Sequence, residues 1–163
     1  MEPFHQFIAL FIDLHKGDNM NYGRIAMAAL AATIIFFAIG FLGEGLLFRK
    51  DFSPYSGMYR SSEAISKYMP IGMLSFFVAM FAVSMIYAST YSVAGSGSVI
   101  AQGLRFGLLI GIFAACVHPI TNFATMNLGA KLSAEITIST IVQWVLVGAV
   151  IAAVYKPAIA IAK

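Results

Sequence analysis

The sequence predicts an all-α integral membrane protein, a four-helix bundle preceded by an amphipathic helix that lies on the membrane surface. The 163-residue chain is 60% hydrophobic and 10% charged, with a mean hydropathy of +0.86. Soluble domains contain about 25% charged residues. The chain also has four apolar runs of about 18 residues or more, the length at which a helix crosses a bilayer.

The predicted spans are residues 25–48, 69–89, 99–127 and 134–155. They fill most of residues 19–163 and leave no room for a soluble catalytic domain. None of the residue patterns of zinc, serine-hydrolase, thiol-redox or nucleotide chemistry is present, so we expect no enzymatic activity. The basic residues form no run of four or more. This spacing argues against a nucleic-acid partner.

Residues 1–18 predict an interfacial helix. At 100° per residue, one side is apolar and the other polar, and Pro3 and Gly17 suit its first turn and its end. His5 and His15 do not share a face, so no metal site is predicted there. The apolar side consists of Phe4, Phe7, Ile8, Phe11, Ile12 and Leu14.

The connections predict the order of the helices but not their orientation in the membrane. The first, residues 49–68, is long and could contain a short helix capped by Ser61 or Ser62. The third, "LGAKLS", is so short that the last two spans must form an antiparallel hairpin. Lysine and arginine divide five against five between the two sides, so the positive-inside rule leaves sidedness open.

The third span carries a stripe of small and polar residues within a sector about 120° wide. Its glycines repeat every fourth residue, a pattern that lets another helix approach closely. That helix could belong to the same chain or to a second copy. The stripe consists of Gly103, Gly107, Gly111, Ala114, His118, Asn122 and Thr125, with Thr121 at its edge.

Pro119 lies within this span and should kink it, because proline removes a backbone hydrogen bond. The freed carbonyl could be satisfied by Thr121, Asn122 or water. A polar group beside a broken helix at membrane depth is typical of sites that hold ions or small substrates. The segment "HPITN", with His118 at its start, is therefore the main candidate site.

Two polar side chains on other spans could join this site. Glu44 shares a face of the first span with Gly40 and Gly43, so we expect it to point inward, with His118 and Asn122 as its partners. Gln143, near the middle of the fourth span, should bond to a neighbouring helix. The adjacent Trp144 should pack against protein or a ligand, because it lies away from the interfacial belts that tryptophan prefers.

These residues allow three interpretations. The polar groups could simply form hydrogen bonds that fix helix packing, as expected of a non-catalytic protein that acts by association, either as a homo-oligomer or as an accessory subunit. Alternatively, His118 and Glu44 could serve a small oligomeric proton-linked transporter or channel. A weaker alternative is His118 as the axial ligand of a haem or a chlorophyll. Cys116, in the third span, is interpreted as a buried apolar filler.

The layout resembles a family of small, uncharacterised, four-span bacterial integral membrane proteins. The resemblance covers about residues 25–157 and rests on "GFLGEGLLFRKDF", "GLRFGLLIGIFAAC", "NFATMNLGAKL" and "VQWVLVGAVIAAVYKP". It implies a four-span fold in the bacterial inner membrane, surrounded by lipid. No established activity of the family can be carried over to this chain.

Overall fold

The computed structural model describes residues 20–58, 60–90 and 98–155. The interfacial helix predicted for residues 1–18 and most of the second connection lie outside the described residues. Within them the chain is all-α, and four helices are long and apolar enough to cross a membrane, which confirms the predicted fold class. They are span 1 (Tyr22–Leu47), span 2 (Ser62–Thr90), span 3 (Val99–Thr125) and span 4 (Ala130–Val154).

Two of the spans are not α-helical throughout. Span 1 is an α-helix over Tyr22–Gly40 and a π-helix over Phe41–Leu47. Span 3 is an α-helix over Val99–Ala115, a π-helix over Cys116–Ile120 and an α-helix over Thr121–Thr125. Both π-helical segments occur in the second half of their spans, where the chain runs toward the same membrane side.

Polar side chains cap the first three spans and explain where they begin. Asn21 Oδ1 accepts a hydrogen bond from the Arg24 amide at 3.0 Å, and Ser98 Oγ accepts one from Ala101 at 3.2 Å. Ser61 Oγ accepts from Ala64 at 3.3 Å, so span 2 begins at Ser62. The short helix expected in the first connection is therefore the first two turns of span 2. The remainder of that connection forms a short α-helix, Arg49–Phe52, and a 3-10 helix, Ser53–Met58.

Span 4 lies between two neighbours and organises the bundle. Its contact with span 3 is the most extensive in the described chain, and its contact with span 1 is the next. Span 2 packs mainly on span 1. The spans are therefore arranged in the order 3, 4, 1, 2, and the predicted hairpin of the last two spans forms the most tightly packed pair.

The main cluster of buried apolar side chains lies toward one end of the bundle. We call this the terminal end, where spans 1 and 3 begin and spans 2 and 4 finish; the opposite end is the hairpin end. The Tyr87 ring lies 5.2 Å from that of Phe106, so spans 2 and 3 meet at the terminal end. The core residues are Ile25, Ala28, Ala29, Ala32, Met80, Tyr87, Val147, Ile151, Ala152 and Tyr155.

Toward the hairpin end, span 2 separates from the rest of the bundle. All residues from Ser62 to Ala79 are exposed except Ala64 and Phe77, which are half-buried. Phe76 still contacts span 1, with its ring centroid 5.0 Å from that of Phe36. We call this exposed half of span 2 the open side of the bundle.

Candidate functional site

The glycines of span 3 pack against span 4 of the same chain. Gly103, Gly107 and Gly111 are all buried. A Cβ added to Gly107 would collide with the backbone carbonyl oxygen of Trp144, and one added to Gly103 would collide with span 4 at Gly148. Because the collisions involve backbone atoms, a change of side-chain rotamer would not relieve them, and the two helices would have to move apart.

This packing decides which of the two roles left open for the glycine stripe applies. The stripe serves the hairpin within one chain, and span 4 covers it completely at Gly103, Gly107 and Gly111. Of the two partners that the sequence allowed, the structure shows a helix of the same chain at Gly107. Gly148 of span 4 takes part in the same close approach, because a Cβ there would collide with the Gly103 carbonyl oxygen. The sequence analysis did not single out Gly148.

Pro119 lies in the π-helical segment of span 3 and is buried. The Thr121 hydroxyl donates a hydrogen bond to the Cys116 carbonyl oxygen at 2.9 Å, and Thr125 donates to the Thr121 carbonyl oxygen at the same distance. Side-chain hydroxyls thus satisfy backbone carbonyls around the break, one of the arrangements expected where proline interrupts a spanning helix.

The π-helical segment changes which residues of span 3 face span 4. Buried positions continue from Gly111 to Ala115 and Pro119, four residues apart. A π-helical turn contains more residues than an α-helical turn. Residues four apart therefore continue to face span 4 through this segment. As a result, His118 is exposed, although the helical wheel placed it on the glycine face. The interpretation of Cys116 as a buried filler is also wrong, because this first residue of the π-helical segment is exposed.

The polar residues after His118 also leave the glycine face. Thr121 and Thr125 are exposed, and Asn122 is half-buried. Asn122 Nδ2 lies 3.4 Å from His118 Nε2, so the amide can donate to the ring in the tautomer that carries its proton on Nδ1. The predicted polar stripe is therefore two surfaces, a buried glycine surface and an exposed polar surface.

Glu44 lies in the π-helical segment of span 1 and is exposed. The expectation that it points inward with Gly43 is wrong, since Gly43 is buried against span 4 and its neighbour Glu44 is not. The Glu44 carboxylate is nevertheless within electrostatic range of the His118 imidazole. No ion pair or hydrogen bond joins the two side chains among the described residues, so they interact only at a distance, and we call these two ionisable groups, one from each π-helical segment, the Glu44–His118 pair.

Gln143 and Trp144 lie on span 4 between its two neighbours. Gln143 is 3% exposed, and its Nε2 donates to Ser139 Oγ at 3.5 Å. We expected Gln143 to bond to a neighbouring helix, but its described hydrogen-bond partner lies on its own helix. The Trp144 ring packs edge-on against Phe36 of span 1, with 5.7 Å between centroids.

Two contacts at the hairpin end tie the first connection to the third. Lys131 Nζ lies 2.7 Å from Asp51 Oδ1, and the Gly129 amide donates to the Tyr55 hydroxyl at 2.8 Å. Lys131 also lies 3.6 Å from Glu135. The sequence analysis missed Asp51, Tyr55 and Glu135. A four-residue spacing between Lys131 and Glu135 on one helix face was the only signal for the last of them.

Ligand chemistry at these residues is limited by what surrounds them. In the part of the chain that the structure describes, no group of three or more histidine, cysteine, aspartate and glutamate residues is placed to hold a metal ion. His118 is exposed on span 3, and its Nε2 lies 3.4 Å from the side-chain amide nitrogen of Asn122. Its assignment as an axial ligand of haem or chlorophyll remains a prediction, which an absorption spectrum of the purified protein would test.

Comparison with known proteins adds no relative to this picture. No protein-family model, no curated protein and no solved structure matches the chain. The resemblance to four-span bacterial membrane proteins therefore remains a prediction, and function has to be argued from the geometry of the chain itself.

Proposed function

We propose that this chain is a non-catalytic membrane protein that acts by association, as a homo-oligomer or as an accessory subunit of a larger membrane complex. The observation that supports the proposal is the exposed Glu44–His118 pair, at the hairpin end of two membrane-spanning helices. Its resemblance to bacterial proteins suggests the inner membrane as its location.

The physical argument concerns what covers this pair. Ionisable side chains in spanning segments usually face a bundle interior or a water-filled cavity, because lipid cannot solvate them. Glu44 is three residues before the end of span 1, and His118 is seven residues before the end of span 3. At a rise of 1.5 Å per residue, they lie about 5 and 10 Å inside the helix ends. A neighbouring protein would shield them from acyl chains.

The open side is a second exposed surface on which a neighbouring protein could pack. Residues 62–79 of span 2 make little contact with the rest of the described bundle. Span 2 also carries exposed aromatic and methionine side chains there, among them Tyr68, Met69 and Met73. Methionine and aromatic residues are enriched in the interfaces of protein complexes.

Native mass in a mild detergent tests this function. Glu44→Gln removes the charge while keeping the shape of the side chain, and we expect it to weaken association about tenfold. Phe113→Leu is the control. Phe113 lies on span 3 and is exposed, as Glu44 is on span 1, but its side chain is apolar. A wild-type protein that is monomeric and purifies alone would contradict the proposal, as would an unchanged association constant for Glu44→Gln.

The competing proposal is a small oligomeric proton-linked transporter or channel that uses the same pair. It is favoured by the position of both ionisable groups in π-helical segments, which recur at functional sites. Association of several copies would enclose the path. Proton flux in proteoliposomes that is lost in His118→Ala would favour transport over a purely structural role, whereas absence of flux would favour the accessory subunit.

A further inference from the structure

Two positive charges lie against one tyrosine ring where span 2 begins. The Arg60 guanidinium carbon lies 4.7 Å from the centre of the Tyr68 ring, and Lys67 Nζ lies 5.8 Å from it. The two charges are therefore no further apart than the sum of these distances. All three side chains are exposed at the hairpin end of the open side. We call them the cationic cluster.

No acid of the described chain neutralises the cluster. The ion pairs among the described residues involve Lys131, and neither Arg60 nor Lys67 takes part in one. Glu63 lies one turn before Lys67 and is exposed, but the two form no ion pair, and a net positive charge remains with Glu63 counted. The tyrosine ring attracts each cation through its π face without adding a negative charge. An anion between the two cations would relieve their mutual repulsion.

The cluster lies at the depth of the lipid headgroups. The apolar run of span 2 begins at Met69, directly after Tyr68, and extends to Ser89. At 1.5 Å per residue this run is about 31 Å long, close to the roughly 30 Å thickness of the hydrocarbon layer. Tyrosine is enriched at the boundary between that layer and water. The helical turns before Tyr68 therefore emerge from the hydrocarbon among the lipid phosphates.

Below the ring, toward the membrane centre, the same face of span 2 is apolar and uncovered. Ile71 and Gly72, three and four residues after Tyr68, share its helix face. Ile71 is exposed, and no side chain and no other helix lies within 4 Å of a Cβ added to Gly72. This face thus combines positive charge at phosphate depth with open space at the depth of the acyl chains.

We propose that the cationic cluster binds one anionic phospholipid, with its phosphate between Arg60 and Lys67 and an acyl chain along the uncovered face below Tyr68. Arginine binds phosphate through paired hydrogen bonds, and lysine adds a compact positive charge. The charge of the lipid decides its class, because a zwitterionic headgroup would bring a cation of its own against the cluster. The site goes beyond the proposed function, since it uses one chain and neither Glu44 nor His118.

Native mass spectrometry of the protein in a neutral detergent tests the site by counting bound lipids per chain. Anionic phosphatidylglycerol is compared with zwitterionic phosphatidylcholine of the same acyl chains. We expect one phosphatidylglycerol to bind saturably to each chain, at least about tenfold more tightly than phosphatidylcholine. Inorganic phosphate at the same concentration should not displace it, because phosphate alone makes no contact with the apolar face.

Variants separate the cluster from the general charge of the hairpin end. Arg60→Gln combined with Lys67→Gln should weaken phosphatidylglycerol binding about thirtyfold, since each basic residue near an anionic membrane surface contributes about a fivefold factor. Arg49→Gln combined with Lys50→Gln is the matched control, because both residues are exposed at the same end of the bundle and the net charge changes equally. This control should bind within about threefold of the wild type.

The tyrosine ring has a test of its own. Tyr68→Leu removes the π face that holds the two cations beside each other, and it should weaken phosphatidylglycerol binding several-fold. Tyr68→Phe keeps the ring and should bind like the wild type. Equal losses in the two variants would show that the ring does not organise the cluster.

Equal affinity for the two lipids would overturn the proposal, and this comparison uses the wild-type chain, so it does not depend on the folding of any variant. Equal losses in the two double variants would also overturn it, because only the net charge of the hairpin end would then matter. Displacement by inorganic phosphate, or an acidic protein segment bound in place of the lipid, would assign the cluster to a different anion. Glu44→Gln should leave phosphatidylglycerol binding unchanged, so this site and the proposed association can fail separately.

Discussion

On the side of span 4 that faces span 3, backbone packs on backbone. Gly103 and Gly107 approach Gly148 and Trp144 so closely that no side chain fits between the helices. On the side that faces span 1, glycines also occur, but there they make room for the polar side chains of Ser139 and Gln143. The same residue type thus produces a dry, close contact on one side and a polar seam on the other.

The difference follows from what each partner contributes at the contact. In lipid, helices associate through close packing and interhelical polar contacts, because no hydrophobic effect drives them together. The contact between spans 3 and 4 uses close packing almost alone. The contact between spans 1 and 4 contains buried polar groups, and each of these must find a partner within the bundle. We therefore expect the first contact to contribute more to stability than the second.

The largest effect should come from Gly107→Leu. The new side chain would meet the backbone of span 4 at Trp144 and Val145, so the helices would have to separate. We expect a loss of at least about 3 kcal/mol in the free energy of unfolding. Denaturation in mixed detergent, followed by Trp144 fluorescence, measures it. Gly72→Ala is the control, since no atom lies within 4 Å of a Cβ added there; equal losses in the two variants would refute the close packing.

A smaller effect is expected from Gly43→Ala, on the other side of span 4. The added methyl group would lie 3.0 Å from Ser139 Oγ, a side-chain atom that can move by rotation about one bond. We expect a loss of about 1 kcal/mol, typical of a single substitution. Denaturation followed by Trp144 fluorescence measures it, and a loss as large as that of Gly107→Leu would contradict the difference between the two contacts.

The smallest effect is expected from Gln143→Met, which replaces a buried amide of span 4 with an apolar side chain of similar size. Its 3.5 Å hydrogen bond to Ser139 is long, and polar contacts in membranes contribute about 0.6 kcal/mol on average. The free energy of unfolding should therefore change by no more than this amount. A loss as large as that of Gly107→Leu would show that the polar seam contributes as much to stability as the glycine contact.

Much of the fold was predictable because local features specify it. Apolar runs specify the number of spans, and serine and asparagine caps specify where several of them begin. The spans predicted at residues 99–127 and 134–155 are observed at Val99–Thr125 and Ala130–Val154. Span 2 was predicted too short, since Ser62–Tyr68 is polar in composition although it continues the helix. The glycine repeat predicted a close helix contact without indicating which helix makes it.

The candidate site was less predictable, because a helical wheel assumes the same rotation at each residue. The π-helical segments at 41–47 and 116–120 break that assumption, so Glu44 and His118 leave the faces assigned to them. Glu135 was missed for a different reason. Its four-residue spacing from Lys131 was the only local signal, and that spacing does not show that Oε2 is buried without a hydrogen-bond partner in the described chain.

The sequence by itself determined that this chain enters a membrane as four helices, because hydrophobicity and length act on each helix separately. Only the tertiary structure decided that span 4 lies between spans 3 and 1, that the glycines are used within the chain, and that half of span 2 stays exposed. These outcomes depend on how pairs of surfaces fit together. Contacts between residues distant in sequence set that fit, and no local pattern encodes it.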